Sequence, residues 1–332
     1  MKKFIALFLI AIMALTIFAA CGKEKAVKTG LAVISSTASS KSAQDDKGTA
    51  QIDSTVIAVI LDTDGKIANC TIDTLQTKIH FDGVGTLITD LDKIFETKNE
   101  LKEEYGMKNS SEIDKEWYEQ AAALAAYVKG KTLSEVKGIK VDDKGYPTEI
   151  DLTSSVTMNI SGYISGIEKA VNNAKALGAS ATDKLGIGIV SNIKNSKSAS
   201  SEGDGLAQAY TTYAAITVGT DGKITSCLLD ASQTNVNFST SGTITTDSST
   251  VHKTKNELGS AYNMKSRSDI GKEWNEQAAA FAKYVTGKTI TEVEGIAVDE
   301  STKPTGDDLT SSVTITVGDF IDALKKANTN AK

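Results

Sequence analysis

Histidine and cysteine are scarce in this chain, with two His and three Cys among 332 residues. Two histidines are too few for most zinc sites, and three cysteines cannot build a disulfide scaffold. No block of basic residues appears either, and Lys plus Arg number 36 against 42 for Asp plus Glu. The resulting net charge of −6 leaves no electrostatic footprint for nucleic acid, whose binding depends on neutralising phosphates. Aromatic residues are 6% of the chain, apolar residues 40% and charged residues 23%. That balance is ordinary for a soluble protein, and the length allows about two domains.

What the chain does have begins at its first residues. Met1-Lys2-Lys3 is a short basic start, and Phe4 to Phe18 is an apolar run that ends in Ala19-Ala20-Cys21. A charged start, an apolar stretch and small residues at the cut describe a secretory signal over residues 1–20, which is removed and forms no part of the fold. Phe18-Ala19-Ala20-Cys21 resembles a bacterial lipobox, with Phe where Leu is usual. On that resemblance Cys21 becomes the lipidated first residue, and the mature protein is held on the bilayer facing outward.

The remainder is one pattern written twice. Asp64-Gly65-Lys66-Ile67 recurs 157 residues later as Asp221-Gly222-Lys223-Ile224. The same offset relates Thr97-Lys98-Asn99-Glu100-Leu101 to Thr254-Lys255-Asn256-Glu257-Leu258, and Lys115-Glu116-Trp117 to Lys272-Glu273-Trp274. It also relates the seven residues Asp151–Thr157 to Asp308–Thr314 without a change. A period this long exceeds any solenoid unit and fits a duplicated globular domain. The expected boundaries are a tether and start of the first repeat over 21–50, a first domain over 51–175, a linker and surface loop over 176–207, and a second domain over 208–332.

Duplication also works as an internal control. His80 aligns with Asn237, and His252 aligns with Phe95, so no histidine site is common to both copies. That weighs against a hydrolase, as does the lack of a Gly-x-Ser-x-Gly elbow. Trp117/Trp274, Cys70/Cys227 and Pro147/Pro304 are all matched. Each cysteine reads as a small buried thiol, and their placement in different domains argues against a bridge between them.

Thr55–Leu61 and Lys66–Ile72, on either side of Asp64-Gly65, predict a hairpin that Tyr210–Val218 and Lys223–Leu229 repeat. The Ser- and Lys-rich stretches Ser35–Lys47 and Ser191–Asp204 lack apolar periodicity and read as loops or tethers. Ser111–Val128 is helical by its three-and-four spacing of apolar residues, with Gly130 as its stop. Thr132 and Glu135 stand in capping-box register for a shorter helix. Ile160, Ile164, Ile167 and Val171 mark a final amphipathic helix whose lysine-bearing face reads as solvated. Strands followed by helices in each copy predict an α+β fold, two tandem domains each made of an antiparallel sheet with packed helices.

The repeated heptad Asp151-Leu152-Thr153-Ser154-Ser155-Val156-Thr157 puts hydroxyls and a carboxylate just ahead of that last helix. Capping of the helix amides is one reading of it. A cap needs only one suitable side chain, however, and all seven residues are retained while neighbours such as Glu149/Gly306 diverge.

The heptad resembles the acceptor motif of proteins carrying covalent FMN, in which a threonine is esterified to the flavin phosphate. Ser155 and Val156 stand where that motif has Gly and Ala. The Asp-Gly-Lys-Ile hairpin, the Thr-Lys-Asn-Glu-Leu segment, the Glu-Trp helix and the Pro before the motif are similar to the tandem FMN-binding lipoproteins of Gram-positive extracellular electron transfer, also known as pheromone-lipoprotein precursors. The resemblance implies two FMN-binding domains with Thr157 and Thr314 as acceptors, modified by a separate flavin transferase that uses FAD. Asp151, Asp308, Ser154, Ser155, Ser311 and Ser312 would form the rest of the acceptor sites, and Trp117 and Trp274 are candidates to stack on the flavin ring. It further implies a quinone-linked membrane donor, an external electron acceptor, and an electron carrier without a substrate pocket. The alternative is a surface binding or pheromone-precursor lipoprotein that keeps the fold without flavin.

Overall fold

The computed structural model describes residues 26–332; the expected signal segment and Cys21 lie outside the described residues. The chain forms two antiparallel sheets, of four and three strands, with helices packed on them, an α+β arrangement. In the first half, β1 (Lys28–Ser36), β2 (Lys41–Gln44), β3 (Lys47–Leu61) and β4 (Ile67–Phe81) make the four-stranded sheet. Strand β3 is central: β4 pairs along one edge, while β1 and β2 share the other. In the second half β6 (Gly205–Val218) lies between β5 (Lys184–Asn192) and β7 (Ile224–Phe238).

The hairpin between β3 and β4 closes where Asp64-Gly65 predicts it. Asp62 Oδ1 accepts from the amides of Asp64 and Lys66, both at 2.9 Å, and Gly65 supplies the left-handed φ of 80°. After each sheet come helices in the same order. The first set is α1 (Lys98–Leu101), α2 (Trp117–Tyr127), α3 (Leu133–Lys137), α4 (Ile150–Thr153) and α5 (Ser161–Asn172). The second is α6 (Lys255–Leu258), α7 (Trp274–Val285), α8 (Ile290–Glu294), α9 (Asp307–Thr310) and α10 (Gly318–Asn330). Thr132 and Glu135 make the expected capping box on α3. Helix α2 begins later than its apolar spacing predicts, at Trp117, because Glu116 takes the N-cap and Asp114 turns the chain with a φ of 52°.

Alternation along the strands divides the interior into three cores. Ala50, Ile52, Val56, Ala58 and Ile60 of β3 face the second sheet, where they meet Leu185, Ile187, Ile189 and Tyr213. Ile57, Val59 and Leu61 point the other way, under the helices of their own half with Trp117, Leu124 and Ile167. A matching helix–sheet core in the second half holds Ile216, Leu229, Trp274, Phe281 and Leu324. The two sheets are therefore packed face to face, each with helices on its outer side.

The contact between halves repeats itself about a pseudo-two-fold. Phe81 stacks on Phe238, its own counterpart, with ring centroids 4.1 Å apart and planes 5° from parallel. Ala43 N donates to Gly242 O at 2.7 Å, and Ala199 N donates to Gly85 O at 2.8 Å. Lys169 pairs with Glu257 and Lys326 with Glu100, each at 2.7 Å. The lysines of the last helices, expected to be solvated, thus reach across to the opposite half.

Two expected loops differ from the structure. The stretch 21–50, read as a tether and start of the first repeat, carries β1, β2 and the first residues of β3, and the stretch 176–207, read as linker and loop, carries β5. Leu185, Ile187, Ile189 and Ile193 are fully in the shared core. Glycine hid these strands. A Cβ on Gly30 would overlap the carbonyl of Ala170, and one on Gly186 or Gly188 would overlap the carbonyls of Ala327 and Ala323. Helices α5 and α10 lie so close on β1 and β5 that only glycine fits, and glycine weakens the strand signature.

Phe81 is fully buried against its counterpart. Phe81→Ala and Phe238→Ala should each cost about 3–5 kcal/mol in urea denaturation. Because each ring loses the same partner, the double variant should fall short of the sum.

Candidate functional site: a threonine-lined cleft in each half

The heptad forms a turn of its own and does not cap the following helix, the simpler of its two readings. Its first residues make the short helix α4, and α5 then starts from Ile160 with no side-chain cap. The second half repeats this with α9 and Val317. Leu152, Val156 and Ile160 recur every four residues and are completely or almost completely buried, as are Leu309, Val313 and Val317. These anchors pin the turn to the helix–sheet core and settle what faces outward. Asp151, Ser154, Asp308 and Ser311 are exposed, while Ser155, Thr157, Ser312 and Thr314 are half-buried. Val156, which replaces the small residue of the acceptor motif, is one of the anchors.

A glutamine from the preceding helix holds each threonine. Gln120 of α2 is 0% exposed, and its Oε1 accepts from the amides of Thr157 at 2.8 Å and Met158 at 3.1 Å. The Thr157 hydroxyl also donates to it, at 3.4 Å. Its Nε2 donates to Ser111 Oγ at 3.0 Å and to Lys115 O at 3.3 Å. Gln277 does the same in the second half, accepting from Thr314 N at 2.8 Å and Thr314 Oγ1 at 3.3 Å, and donating to Ser268 Oγ at 3.0 Å. An amide oxygen orients a hydroxyl and does not deprotonate it. The threonine hydroxyl is thus aimed by its glutamine.

Each clamped threonine lines a cleft. The first is about 800 Å³ and includes Met107, Ser111, Gln120, Tyr146, Thr157 and Asn159. The second is about 350 Å³ and includes Tyr262, Met264, Ser268, Gln277, Thr314 and Thr316. Buried glutamates shape the wall: Glu116 accepts from the amides of Met107 and Lys108 at 2.9 and 3.0 Å, and Glu273 likewise from Met264 and Lys265 at 2.9 and 3.1 Å.

Each half also buries a lysine, and Lys255 of the second lines its cleft. The α1 turn, capped by Thr97 and Glu100, carries Lys98 under Tyr105 and Trp117, with Nζ 4.4 and 5.0 Å from the ring centroids. Lys255 sits under Tyr210, Tyr262 and Trp274 at 4.4, 4.5 and 5.0 Å, and donates to Tyr210 Oη at 2.8 Å. Burial lowers both ammonium groups to about 8. Asp73 and Asp230 are buried nearby and accept from the amides of Asn99 and Asn256 at 3.2 and 3.1 Å. Burial raises Asp73 to about 7 and Asp230 to about 6.

Trp117 and Trp274, the stacking candidates, are core residues, as a Trp on the apolar face of a helix more often is. Trp117 and Trp274 are 2% and 4% exposed; Trp117 donates from Nε1 to Tyr163 Oη at 3.0 Å, and Trp274 meets Phe320 edge-on. Only Trp274 reaches its cleft, at the edge. Cys70 and Cys227 are free buried thiols, and burial pushes Cys70 up to about 12. His80 and His252 bond to Thr49 and Thr37, away from both clefts. Among the described residues no His, Cys, Asp and Glu group is arranged to hold a metal ion, and no helix is long and apolar enough to cross a membrane.

Sequence reasoning missed Gln120/Gln277, Lys98/Lys255, Tyr105/Tyr262 and Ser111/Ser268. Every one of these pairs is identical at the 157-residue offset, which was the available signal. No protein-family model, curated protein or solved structure matches the chain.

Gln120→Ala would leave the amides of Thr157 and Met158 without their acceptor. We expect a loss of about 1–3 kcal/mol in denaturant unfolding, with faster hydrogen exchange at those two amides. The raised aspartates give a second expectation. Asp73 prefers its neutral form in the folded chain, so the stability it contributes is complete below its usual 3.8 and is lost as pH rises through 7. Asp73→Asn should remove that decline, read as a flatter dependence of stability on pH across this window than in the parent protein.

Proposed function

We propose that this protein is a two-flavin electron carrier: two FMN-binding domains in tandem, lipid-anchored through Cys21 on the outer face of the membrane, each holding one FMN esterified to Thr157 or Thr314. The observation that carries this reading is a repeated one. In each half the same seven-residue turn delivers a glutamine-clamped threonine hydroxyl to the wall of a cleft. Both clefts fall within the roughly 300–1,000 Å³ usual for cofactor sites.

The residues present fit the group. Threonine Oγ1 would take the FMN phosphoryl group from FAD, with AMP leaving and the hydroxyl proton passing to the transferase. The exposed Asp151, Ser154, Asp308 and Ser311 are open to that enzyme. Helices α5 and α10 start a few residues on without a side-chain cap, and uncapped helix amides favour a phosphate. Gln120 and Gln277 keep the attachment point rigid, and Lys255 places positive charge along the second cleft. Bound FMN would supply the redox chemistry of a carrier placed between a quinone-linked membrane donor and an external acceptor. A covalent link suits a site outside the cell, where a dissociating flavin would be lost.

Intact mass of the soluble form, Gly22 to Lys332, co-expressed with a flavin transferase tests the reading. Two FMN-phosphoryl adducts are expected on the parent protein, and one each on Thr157→Val and Thr314→Val. No adduct, where a known acceptor protein is modified, would make this a binding lipoprotein that keeps the fold without flavin.

A further inference from the structure

The two clefts correspond in position but not in charge. Along the first, the charged lining residues are Glu112, Asp142 and Lys144. Along the second they are Lys255, Arg267, Asp269 and Lys303. Aligning the halves locates the change. Glu112 and Asp269 are equivalent and keep their sign, whereas neutral Ser110 and Tyr146 in the first half stand where the second has Arg267 and Lys303. Lys144 against Ser301 is the one step in the opposite direction, and it leaves the second cleft more positive by these lining groups.

The buried lysines differ too. Lys255 lines its cleft, while Lys98 does not reach the first. Lys98 is faced by the carboxylates of Asp53 and Asp73 and by the ammonium group of Lys78, and Lys255 by the carboxylates of Asp230 and Asp319. Lys78, whose counterpart is Asn235, runs against the imbalance but is not among the residues lining the first cleft. The carboxylate environment of the two lysines is thus matched in number, and the imbalance rests on Arg267, Lys303 and the closer approach of Lys255.

We infer that a flavin on Thr314 is held at a higher reduction potential than a flavin on Thr157, so that electrons entering the protein settle in the second half. This rests on the flavin reading above. Taking up two electrons and one proton leaves one negative charge on the flavin ring, and cations in a partly enclosed cleft favour that form. Transfer between the halves balances: the reduced flavin of the first half gives up two electrons and one proton, and the oxidised flavin of the second takes up the same. Arg267 and Lys303 are exposed, so salt screens their share, whereas Lys255 is 3% exposed and keeps its influence.

The experiment uses Thr157→Val and Thr314→Val, each carrying one flavin confirmed by mass, in spectroelectrochemical titration. The flavin on Thr314 should have the higher potential, with a gap that narrows at high salt without closing. Sulfite, which adds to the flavin ring and leaves it negatively charged, should bleach the Thr314 flavin at lower concentration. Arg267→Ser with Lys303→Tyr, the residues of the first half, should shift the Thr314 potential down toward that of Thr157. Equal or inverted potentials, or no shift in the double variant, would overturn the inference while leaving the two-flavin reading in place. Absence of flavin on either threonine would overturn the reading and the inference together.

Discussion

The side-chain amide of Gln120 is enclosed within the protein, and an enclosed amide must have its donors and acceptor satisfied or cost about 1–3 kcal/mol for each one left open. It meets that demand by joining the segment just ahead of its own helix to a turn that lies 37 residues further along the chain. The Oε1 side holds the acceptor turn at Thr157 and Met158, and the Nε2 side holds Ser111 and the carbonyl of Lys115 ahead of α2. One wall of the cleft and the threonine that lines it therefore move together. Gln277 imposes the same constraint in the second half. A cleft built this way is preorganised, since the hydroxyl is already aimed before any ligand or enzyme arrives.

Positioning of the buried lysines extends from that clamp to the contact between halves. Lys255 is carried by the α6 turn, whose Glu257 both closes the cap at Thr254 and pairs with Lys169 of the opposite half. Glu100, beside Lys98, pairs in the same way with Lys326. These ion pairs are about one-third exposed, so their own stabilisation is small. Their value lies in orientation. The apolar faces of the two sheets supply the attraction between halves, with Phe81 and Phe238 stacked where the pseudo-two-fold passes. The paired charges then fix how the lysine-bearing turns sit against the neighbouring half.

Much of this was legible in the residues, and the rest was hidden for physical reasons. The Asp-Gly hairpin, the capped short helix at Thr132 and the last helix were readable because turn chemistry and apolar spacing act locally. Strands β1 and β5 were not, because Gly30, Gly186 and Gly188 are dictated by a helix backbone more than a hundred residues away. The heptad was legible as a retained segment, and the capping reading of it does not hold: no hydroxyl in it caps α5, and buried Leu152 and Val156 are what hold it. Trp117 and Trp274 drew attention as matched aromatics, yet core packing explains their retention. Gln120 and Lys98 went unnoticed because polar residues on a helix are ordinarily solvent-facing, and burial is a property of the assembled fold.

Comparison of the halves separates two kinds of residue. What holds the threonine in place is unchanged between them, namely the heptad, the glutamine and the serine it bonds, and so are the glutamate that fixes the wall and the buried lysine. What differs lies at the rim, where Ser110 and Tyr146 become Arg267 and Lys303, and beside the lysine, where Asp53 becomes Tyr210. Anchoring groups are buried and mutually bonded, so altering any one of them leaves a partner unsatisfied in the interior. Rim groups are exposed, and altering their charge leaves no buried group without a partner. A duplicated chain built on this division can keep two threonine clefts of one design while their electrostatic surroundings diverge.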